Sequence, residues 1–578
     1  MVIFSLHTGH DASLALYEDY ELKFIRKEER LSRIKCHGEL IPELCLKELR
    51  RYHDLRDADV AVLSRAVFPR KYFRHEPLNK KVERSMSEFF KRKVKYLNLC
   101  NELRRLQAKE EAVLDLPRLA AGLGLRENCE IMFSNHHYAH ALPALFYKPE
   151  WNDALIYTAD GGGDFIQYSI YYFDGKQLHC VYGGDRHIWE GRPDEKVHSL
   201  GQMYAIVTEI AGFLRNRHEG KITGLAAFGQ PVFLEQMKAH YHVQDDGLVR
   251  SDFGSYAEME AFYHGLAKGA DIKDVACSAQ KLLEVVMVES FRKLQKRFRF
   301  SNVGLSGGVF SNVRLNQMIA ELDGVKDVFI VPPMGDEGLV MGMPLDVMIR
   351  KRGFDDFLRN RRPLGTLYYG EEFPGLRPYL DSRFSVVATD DIIEKTVELL
   401  RADKVVGLFT KGMEYGPRAL GARSILITPR DASINHTVNL RLNRSEFMPF
   451  APYVRAERAD DVFVIPPSSR AAMSYMTITC DVRPEWRDKI PAVVHVDGTA
   501  RPQIIHRAEN PFYYDILHRF EQATGLPCLV NTSFNAHEEP IINRPQEALQ
   551  ALYENRIDYL VADDVNCCPQ VIVIYHSK

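Results

Sequence analysis

The amino-acid sequence sets His136 and His140 four residues apart in the run SNHHYAHA (Ser134–Ala141). On a helix that spacing puts both imidazoles on one face, where together they can grip a metal ion. About twenty residues later TADGGGD carries Asp160 at the end of a strand-like run, and far downstream PPMGDEG offers Asp336 from a second loop. Two imidazoles and two carboxylates form a nitrogen and oxygen set suited to a ferrous or similar first-row ion that also touches phosphate oxygens. No thiolate belongs to the set, which disfavours structural zinc. His137, not glutamate, follows His136, so the run is not the HExxH of a metalloprotease. A histidine pair at helical spacing also serves as a capping or buried hydrogen-bonded pair, and His137 with His140 is a second same-face choice. The metal reading draws its weight from Asp160 and Asp336, because glycine-rich loops present side chains instead of packing them.

Other segments offer further chemistry. In HTGHDAS (7–13), Gly9 permits a tight turn that exposes His10 and Asp11 at its tip. A histidine there can act as a general base, while Asp11 capping a local turn is the plainer account of the same residues. In LSGGVFSN, Gly307 and Gly308 let backbone approach a nucleotide, and Asn312 is spaced to hydrogen-bond a ribose or base edge. Asp336 is flanked by Gly335 and Gly338. With Asp160-Gly161, these loops look like the divided phosphate and adenosine grip of the actin-like ATPase superfold. The last third of the chain is dense in loop arginines: Lys411, Arg418 and Arg423 in KGMEYGPRALGARS, Arg441 and Arg444 in RLNRSEFMPFAP, and Arg501 in HVDGTARPQ. LVNTSFN adds Asn531, Thr532, Ser533 and Asn535. Arginine forks with hydroxyl and amide donors suit a small doubly charged phosphate. Surface arginines often only pair with neighbouring carboxylates, but few acids adjoin these glycine- and proline-rich segments, which favours an oxyanion pocket.

The elements that must position these residues read as α/β. VIFSL at 2–6 is a strand, LALYEDYELKFIRKEER a hairpin, 39–52 a helix and DVAVLS at 59–64 a strand. After HHYAH come strands in DALIYTAD and FIQYSIYYFDGKQLHCVYGG, then helices in SLGQMYAIVTEIAGFL and VACSAQKLLEVVMVESFRKLQKRF. Strand, glycine loop and helix in NVGLSGGVFSN, then a strand in VKDVFIVPPMGDEG, place the sites at strand C-termini. KRGFDDFLRNRRPLG (351–365) reads as a linker, and a second set of strands runs from VVGLFTKG to VIVIYHS. Residues 1–350 and 366–578 are therefore expected to form two domains.

The totals bound the function. A net charge of -3 in 578 residues announces neither a nucleic acid nor a membrane partner. No apolar run approaches the roughly eighteen residues of a membrane span, and the N-terminus lacks a basic start and cleavage site. Ten cysteines without a CxxC pattern suggest a reduced, cytoplasmic protein, with the adjoining Cys567 and Cys568 at the edge of a buried strand. Arg70–Arg105 holds twelve Lys/Arg against four Glu. It reads as a basic helical insertion at about 70–110, solvated in preference to an RNA groove, whose field could also favour anionic substrates.

Taken in order, these segments resemble the O-carbamoyltransferase family that includes the nodulation, cephamycin and tobramycin carbamoylation enzymes. The matching pieces are HDAS at 10–13, EERLSRIK at 28–35, HHYAHA, the Asp160-Gly161 step, GKITGLAAFG at 220–229, LSGGVFSN and PPMGDEG. The second half adds MEYGPRALGARSIL, FMPFAP, HVDGTARPQ and LVNTSFNAHEEPI. The resemblance implies an N-terminal actin-like (ASKHA) domain, similar to the threonylcarbamoyl-adenosine synthases, and a C-terminal YrdC-like domain. It implies that carbamoyl phosphate is cleaved in the second domain and that the carbamate passes internally to the first. There ATP converts it to carbamoyl adenylate, and a small-molecule hydroxyl takes the carbamoyl group. By matching position, His136, His140, Asp160 and Asp336 would hold Fe2+ or a similar divalent ion on the nucleotide phosphate, with Mg2+ a further option. Asp11, Lys221, Gly307, Gly308, Asn312 and Asp336 would bind ATP and the adenylate. Lys35 would stabilise the acyl adenylate, His10 would deprotonate the acceptor, and Asp160 would count among the catalytic residues as well. Arg418, Arg423, Arg444, Arg501, Asn531 and Ser533 would bind carbamoyl phosphate. The sequence departs from the family just before PFAP, where Leu440, Leu442 and Met448 stand in place of lysines and an arginine.

Two other readings were weighed against this one. Hydrogenase-maturation-type transfer to a protein thiol would bring an acylphosphatase domain and zinc-finger-like cysteine pairs, which this sequence does not show. An RNA-associated module would rest on the basic insertion alone. The expected partners are the hydroxyl acceptor, ATP and carbamoyl phosphate, with a homodimer left open.

Overall fold

The computed structural model describes residues 1–38, 41–74, 96–190, 195–373, 376–444, 447–562 and 570–575. The chain opens with β1 (Val2–His7), buried on both faces from Ile3 onward, as a strand covered by helices on both sides must be. It folds back antiparallel through β2 (Ser13–Glu18) and β3 (Glu21–Lys27). On the other side of β1, β4 (Val60–Ser64) and β5 (Glu130–Ser134) add in parallel, giving the order β3-β2-β1-β4-β5. The helix read over 39–52 begins at Glu43 and ends at Tyr52.

The same topology then recurs. β6 (Ala154–Gly163), β7 (Ile166–Phe173) and β8 (Leu178–Tyr182) form an antiparallel meander, and β9 (Asn302–Ser306) and β10 (Asp327–Ile330) add in parallel to give β8-β7-β6-β9-β10. Two sheets of one strand order and one set of directions make the duplicated actin-like arrangement that the resemblance implied. β5 leads into helix α1 (His136–Phe146), whose first N–H groups are capped by the Asn135 side chain. Between β8 and β9 lie α2 (Leu200–Ile210), α3 (Glu219–Ala226) and the long α4 (Ile272–Arg297). α5 (Val313–Ala320) follows β9, and α6 (Leu339–Arg352) follows β10. Helices α1 and α6 hold equivalent places in the two repeats and cross at the centre. Gly342 makes the crossing close, since a Cβ there would overlap the carbonyl of Ala139.

The second half is a separate α/β unit around an eight-stranded mixed sheet. Its strands are β11 (Phe384–Thr389), β12 (Val406–Phe409), β13 (Arg423–Ile427), β14 (Ala451–Arg455), β15 (Gln503–Ile505), β16 (Cys528–Ser533), β17 (Tyr559–Ala562) and β18 (Gln570–Tyr575), in the order β11-β18-β17-β12-β13-β16-β14-β15. The sheet thus starts earlier than the VVGLF run, because β11 pairs with the distant β18. Within 351–365, Phe354–Asn360 are helical and Phe357 is buried against Phe146 of α1. The two halves share one apolar core cluster that includes Leu305 and Phe310 with Ile425 and Val454. Polar stitches cross the same boundary: the Tyr415 hydroxyl donates to Glu337 O (2.6 Å) and the Asn316 amide to Thr477 O (2.7 Å).

Of the expected basic helix at 70–110, residues 75–95 lie outside the described residues, as do Cys567 and Cys568. The flanks correct the expectation. Among the described residues, Tyr96–Asn98 is a strand paired with Val67–Pro69, Arg70–Tyr72 form a 3-10 turn, and Leu99–Leu106 and Glu110–Val113 are short α-helices. Leu99, Cys100 and Leu103 are buried, so this part is not a solvated arm. Among the described residues no helix is long and apolar enough to cross a membrane.

Candidate metal and substrate site

Both repeats of the first half present candidate ligands at strand ends, His136 and Asp336 from equivalent strand-to-helix junctions. His136 opens α1 and His140 follows one turn later, while Asp160 lies near the end of β6 and Asp336 in the turn that leads into α6. His140 Nε2 stands 3.5 Å from both Asp160 Oδ2 and Asp336 Oδ1, and His136 Nε2 stands 3.6 Å from Asp336 Oδ1. One ligand atom from each of the four residues falls within 4.8 Å of the others. His136 Nε2, His140 Nε2 and Asp336 Oδ1 are buried without a hydrogen-bond partner. Buried polar atoms are nearly always satisfied, so three orphans facing one point fit a shared cation. The set of two nitrogens and two carboxylates suits a first-row divalent ion.

The surrounding shell orients these ligands. Ser306 Oγ lies 3.3 Å from His140 Nδ1, which leaves Nε2 aimed at the cluster. The His136 N–H donates to Asp164 Oδ2 (2.8 Å), and Asp164 is held by Arg65 (3.3 Å), which also pairs with Glu110 (2.6 Å) and Asp185 (2.9 Å). Gly163 is needed beneath, because a Cβ there would run into the His136 ring. The His137 ring nitrogens lie 2.9 Å from Thr158 Oγ1 and 3.2 Å from Ile166 O, so His136 and His140 are the pair that faces the carboxylates. Burial alone would lower the His140 ring, but the neighbouring carboxylates of Asp160 and Asp336 outweigh it and raise the ring to about 9. Burial would raise Asp160, yet the His140 contact and the Gly308 N–H hold it well below the usual carboxylate range.

A single cavity of about 730 Å³ runs from this cluster into the second half. Asp160 and Asp336 line it, and the two histidines sit buried beneath them. Gly308, Asn312, His10, Asp11 and Lys35 line it too. Gly307, at φ +98°, packs its α-carbon against the Ala159 backbone and so lets the next N–H, that of Gly308, reach Asp160 Oδ2 at 2.9 Å. Asn312 caps α5 and its amide donates to Gln280 Oε1 (2.7 Å). Lys221, expected at the nucleotide, does not line the cavity; its ammonium lies 5.0 Å over the Phe213 ring.

His10 and Asp11 form a pair, Nδ1 to Oδ2 at 2.8 Å, and Asp11 also meets Lys27 Nζ at 2.8 Å. Partial desolvation would lower the His10 ring, but its hydrogen bonds to Asp11 and Cys36 hold it up to about 11. Cys36 lines the cavity beside it. Beneath the turn, His7 braces the His10 carbonyl (2.8 Å) and Ser64 (2.9 Å). The sequence reading gave no role to His7, the first residue of HTGHDAS, or to Cys36, which follows EERLSRIK.

In the second half the cavity is lined by Arg418, Arg444, Arg501, Asn531, Thr532, Ser533 and Asn535. Arg444 donates to Thr532 Oγ1 (2.9 Å) and Ser533 Oγ (3.0 Å), and the Asn531 amide to Gln503 Oε1 (3.0 Å). The loop that carries Arg418 is held by the buried Glu414, which accepts from the N–H groups of Leu420 (2.7 Å), Ala422 (3.1 Å) and Arg423 (3.2 Å). Arg423 itself corrects an expectation. Its side chain is fully buried off the cavity, donating to Thr410 O (2.6 Å), with its guanidinium 3.7 Å over the Phe409 ring. Burial brings its pKa down to about 10. Arg441 and Lys411 also face elsewhere, toward Asp558 (2.9 Å) and the Glu509 carbonyl (3.2 Å). Met448 lines the cavity, whereas Leu440 is exposed and Leu442 buried.

Residues 3–345 match the family described as carbamoyltransferase N-terminus, and residues 397–568 match carbamoyltransferase C-terminus. The chain therefore belongs to the carbamoyltransferase family and is a carbamoyltransferase enzyme. It is similar to the nodulation protein NolNO of Sinorhizobium fredii, at 28% identity over 96% of this chain and 78% of that protein. It is also similar to the nodulation protein NolO of Bradyrhizobium diazoefficiens, at 29% identity over 74% of this chain and 77% of that protein. A protein of Synechocystis is 30% identical over 75% of each chain.

Proposed function

We propose that this protein is an ATP-dependent O-carbamoyltransferase that moves the carbamoyl group of carbamoyl phosphate, via carbamoyl adenylate, onto a hydroxyl of a small molecule. The observation that carries the reading is the single cavity that joins the His/Asp cluster and the Gly308 turn to the arginine pocket of the second half. Water cleaves carbamoyl phosphate to carbamate and phosphate at Arg418, Arg444, Arg501, Asn531 and Ser533. Carbamate then attacks the α-phosphorus of ATP, forming carbamoyl adenylate and releasing pyrophosphate. The acceptor oxygen attacks the carbamoyl carbon, its proton leaves, and AMP departs. Free carbamate loses carbon dioxide in water, so an enclosed route between the two subsites protects it.

In this reading residues 1–350 form the ATP- and metal-binding transfer unit and 366–578 the carbamoyl phosphate unit, joined through 351–365. His136, His140, Asp160 and Asp336 would hold a ferrous or similar divalent ion. That ion would neutralise phosphate charge during adenylation. The Gly308 amide and Asn312 lie where the nucleotide would rest. Lys35 faces the developing charge on the adenylate, and His10 takes the acceptor proton once its own has left. Supply of ATP and free thiols at the described cysteines suit a cytoplasmic setting. The test is mass spectrometry of the protein incubated with carbamoyl phosphate, ATP and ferrous ion, with no acceptor. Carbamoyl adenylate that needs all three and vanishes in Asp336→Ala supports the reading. Its absence from folded, iron-loaded protein, with pooled acceptors also unproductive, would refute it.

A further inference from the structure

Glu538 stands at the junction of the two subsites, and its surroundings are unusual. It follows β16 in the loop 535–541 with φ +58°, a left-handed conformation that glutamate keeps only where its surroundings over-determine it. Its carboxylate reaches out of the second half to three groups of the first. The His218 Nε2 lies at 2.6 Å, Arg217 at 3.4 Å and Lys35 at 3.8 Å. His218, His537 and Glu538 come close enough to suggest a cation site. The hydrogen bonds argue otherwise. The Leu214 N–H donates to His218 Nδ1 (3.1 Å), so the neutral ring carries its proton on Nε2 and donates it to Glu538. A ring so engaged has no lone pair to give a metal.

The loop is tied at both ends. Arg444 of the arginine pocket donates to Asn535 O (2.6 Å) and Asn535 Oδ1 (2.8 Å). Arg33 of the first half donates to Pro540 O (2.7 Å) and Ile541 O (2.8 Å). Between these anchors Glu538 lines the cavity, facing Lys35, which lines it as well. We propose that Glu538 is a positioning residue that latches the 535–541 loop onto Lys35, Arg217 and His218, sealing the passage by which carbamate travels from the arginine pocket to the nucleotide. The inference rests on the function proposed above. The latch makes no bond to the reacting atoms. It keeps water out of the route and the carbamate within it.

The experiment measures phosphate and pyrophosphate release by the full chain supplied with carbamoyl phosphate, ATP and ferrous ion. A sealed route gives close to one phosphate per pyrophosphate. Glu538→Gly suits the positive φ and removes the latch, so phosphate should exceed pyrophosphate severalfold with an unchanged KM for carbamoyl phosphate. Glu538→Gln keeps an acceptor for His218 but loses the charge that draws Lys35 and Arg217, so its excess should be smaller. A ratio unchanged in both variants, or both releases falling in proportion as a merely structural role would cause, would overturn the latch. An unmodified chain that releases no pyrophosphate from these substrates would overturn the function reading itself, and the latch with it.

Discussion

The His/Asp cluster of the first half and the arginine pocket of the second were both read from residue types and spacing, yet the fold treats them differently. In the cluster all four expected ligands converge, and the facing atoms of His136, His140 and Asp336 are buried and unsatisfied. In the pocket the arginines are sorted: Arg418, Arg444 and Arg501 line the cavity while Arg423 is spent on backbone carbonyls. The difference lies in how each set is positioned. The helical spacing of His136 and His140 and two equivalent strand-to-helix junctions fix the cluster almost locally. An arginine near or on a strand takes whichever side the pleat and the long-range register assign, and β13 places the Arg423 side chain away from the cavity.

The strongest way to break this comparison is to remove the cluster's nitrogen ligands. His136→Ala with His140→Ala should abolish bound iron and lower carbamoyl adenylate formation by roughly 10³-fold or more, since the ion supplies several kcal/mol of charge stabilisation. Full iron content in that folded double variant, measured by elemental analysis, would defeat the assignment. A smaller effect concerns His10. Its ring is held up to about 11, so below that pH the protonated form dominates and the base form grows as pH rises. If His10 takes the acceptor proton, transfer from preformed adenylate should climb about tenfold per pH unit between neutrality and pH 9. A flat profile, or the same slope in His10→Ala, would remove it from that role.

The arginines sharpen the contrast. Arg444→Ala should raise the KM for carbamoyl phosphate about tenfold to a hundredfold, the worth of a charge-assisted hydrogen bond, with little change in melting temperature. Arg423→Met should do the reverse, costing about 1–3 kcal/mol of stability through unsatisfied buried carbonyls while leaving that KM alone. Equal effects on both quantities from both variants would erase the distinction. The mildest prediction is Ser306→Ala, which frees the His140 ring and should weaken iron binding by about tenfold, read by titration against a chelator.

Much of the fold was legible because the strands of the first half are short apolar runs closed by glycine or aspartate turns, and α4 keeps a helical period for its whole length. β11 was not, since its pairing with β18 joins segments nearly two hundred residues apart. The brace of Asp164 by Arg65 escaped for the same reason, although Asp164 ends the TADGGGD motif. Lys221 was expected at the nucleotide and lies off the cavity lining, since a motif says which residue is present and not which way its helix face turns. Glu538 lies inside LVNTSFNAHEEPI, yet residue type and spacing gave it no role: its part rests on a positive φ and on partners drawn from Lys35, Arg217 and His218.

The central claim is that one continuous cavity carries carbamate between the two regions. Its most direct test supplies the iron-loaded protein with ¹³C-carbamoyl phosphate and ATP in a solution of unlabelled carbamate, formed from bicarbonate and ammonia, and follows the isotope in carbamoyl adenylate. An enclosed route predicts adenylate that keeps the full label however much unlabelled carbamate is present. Label diluted in proportion to the carbamate outside would contradict it.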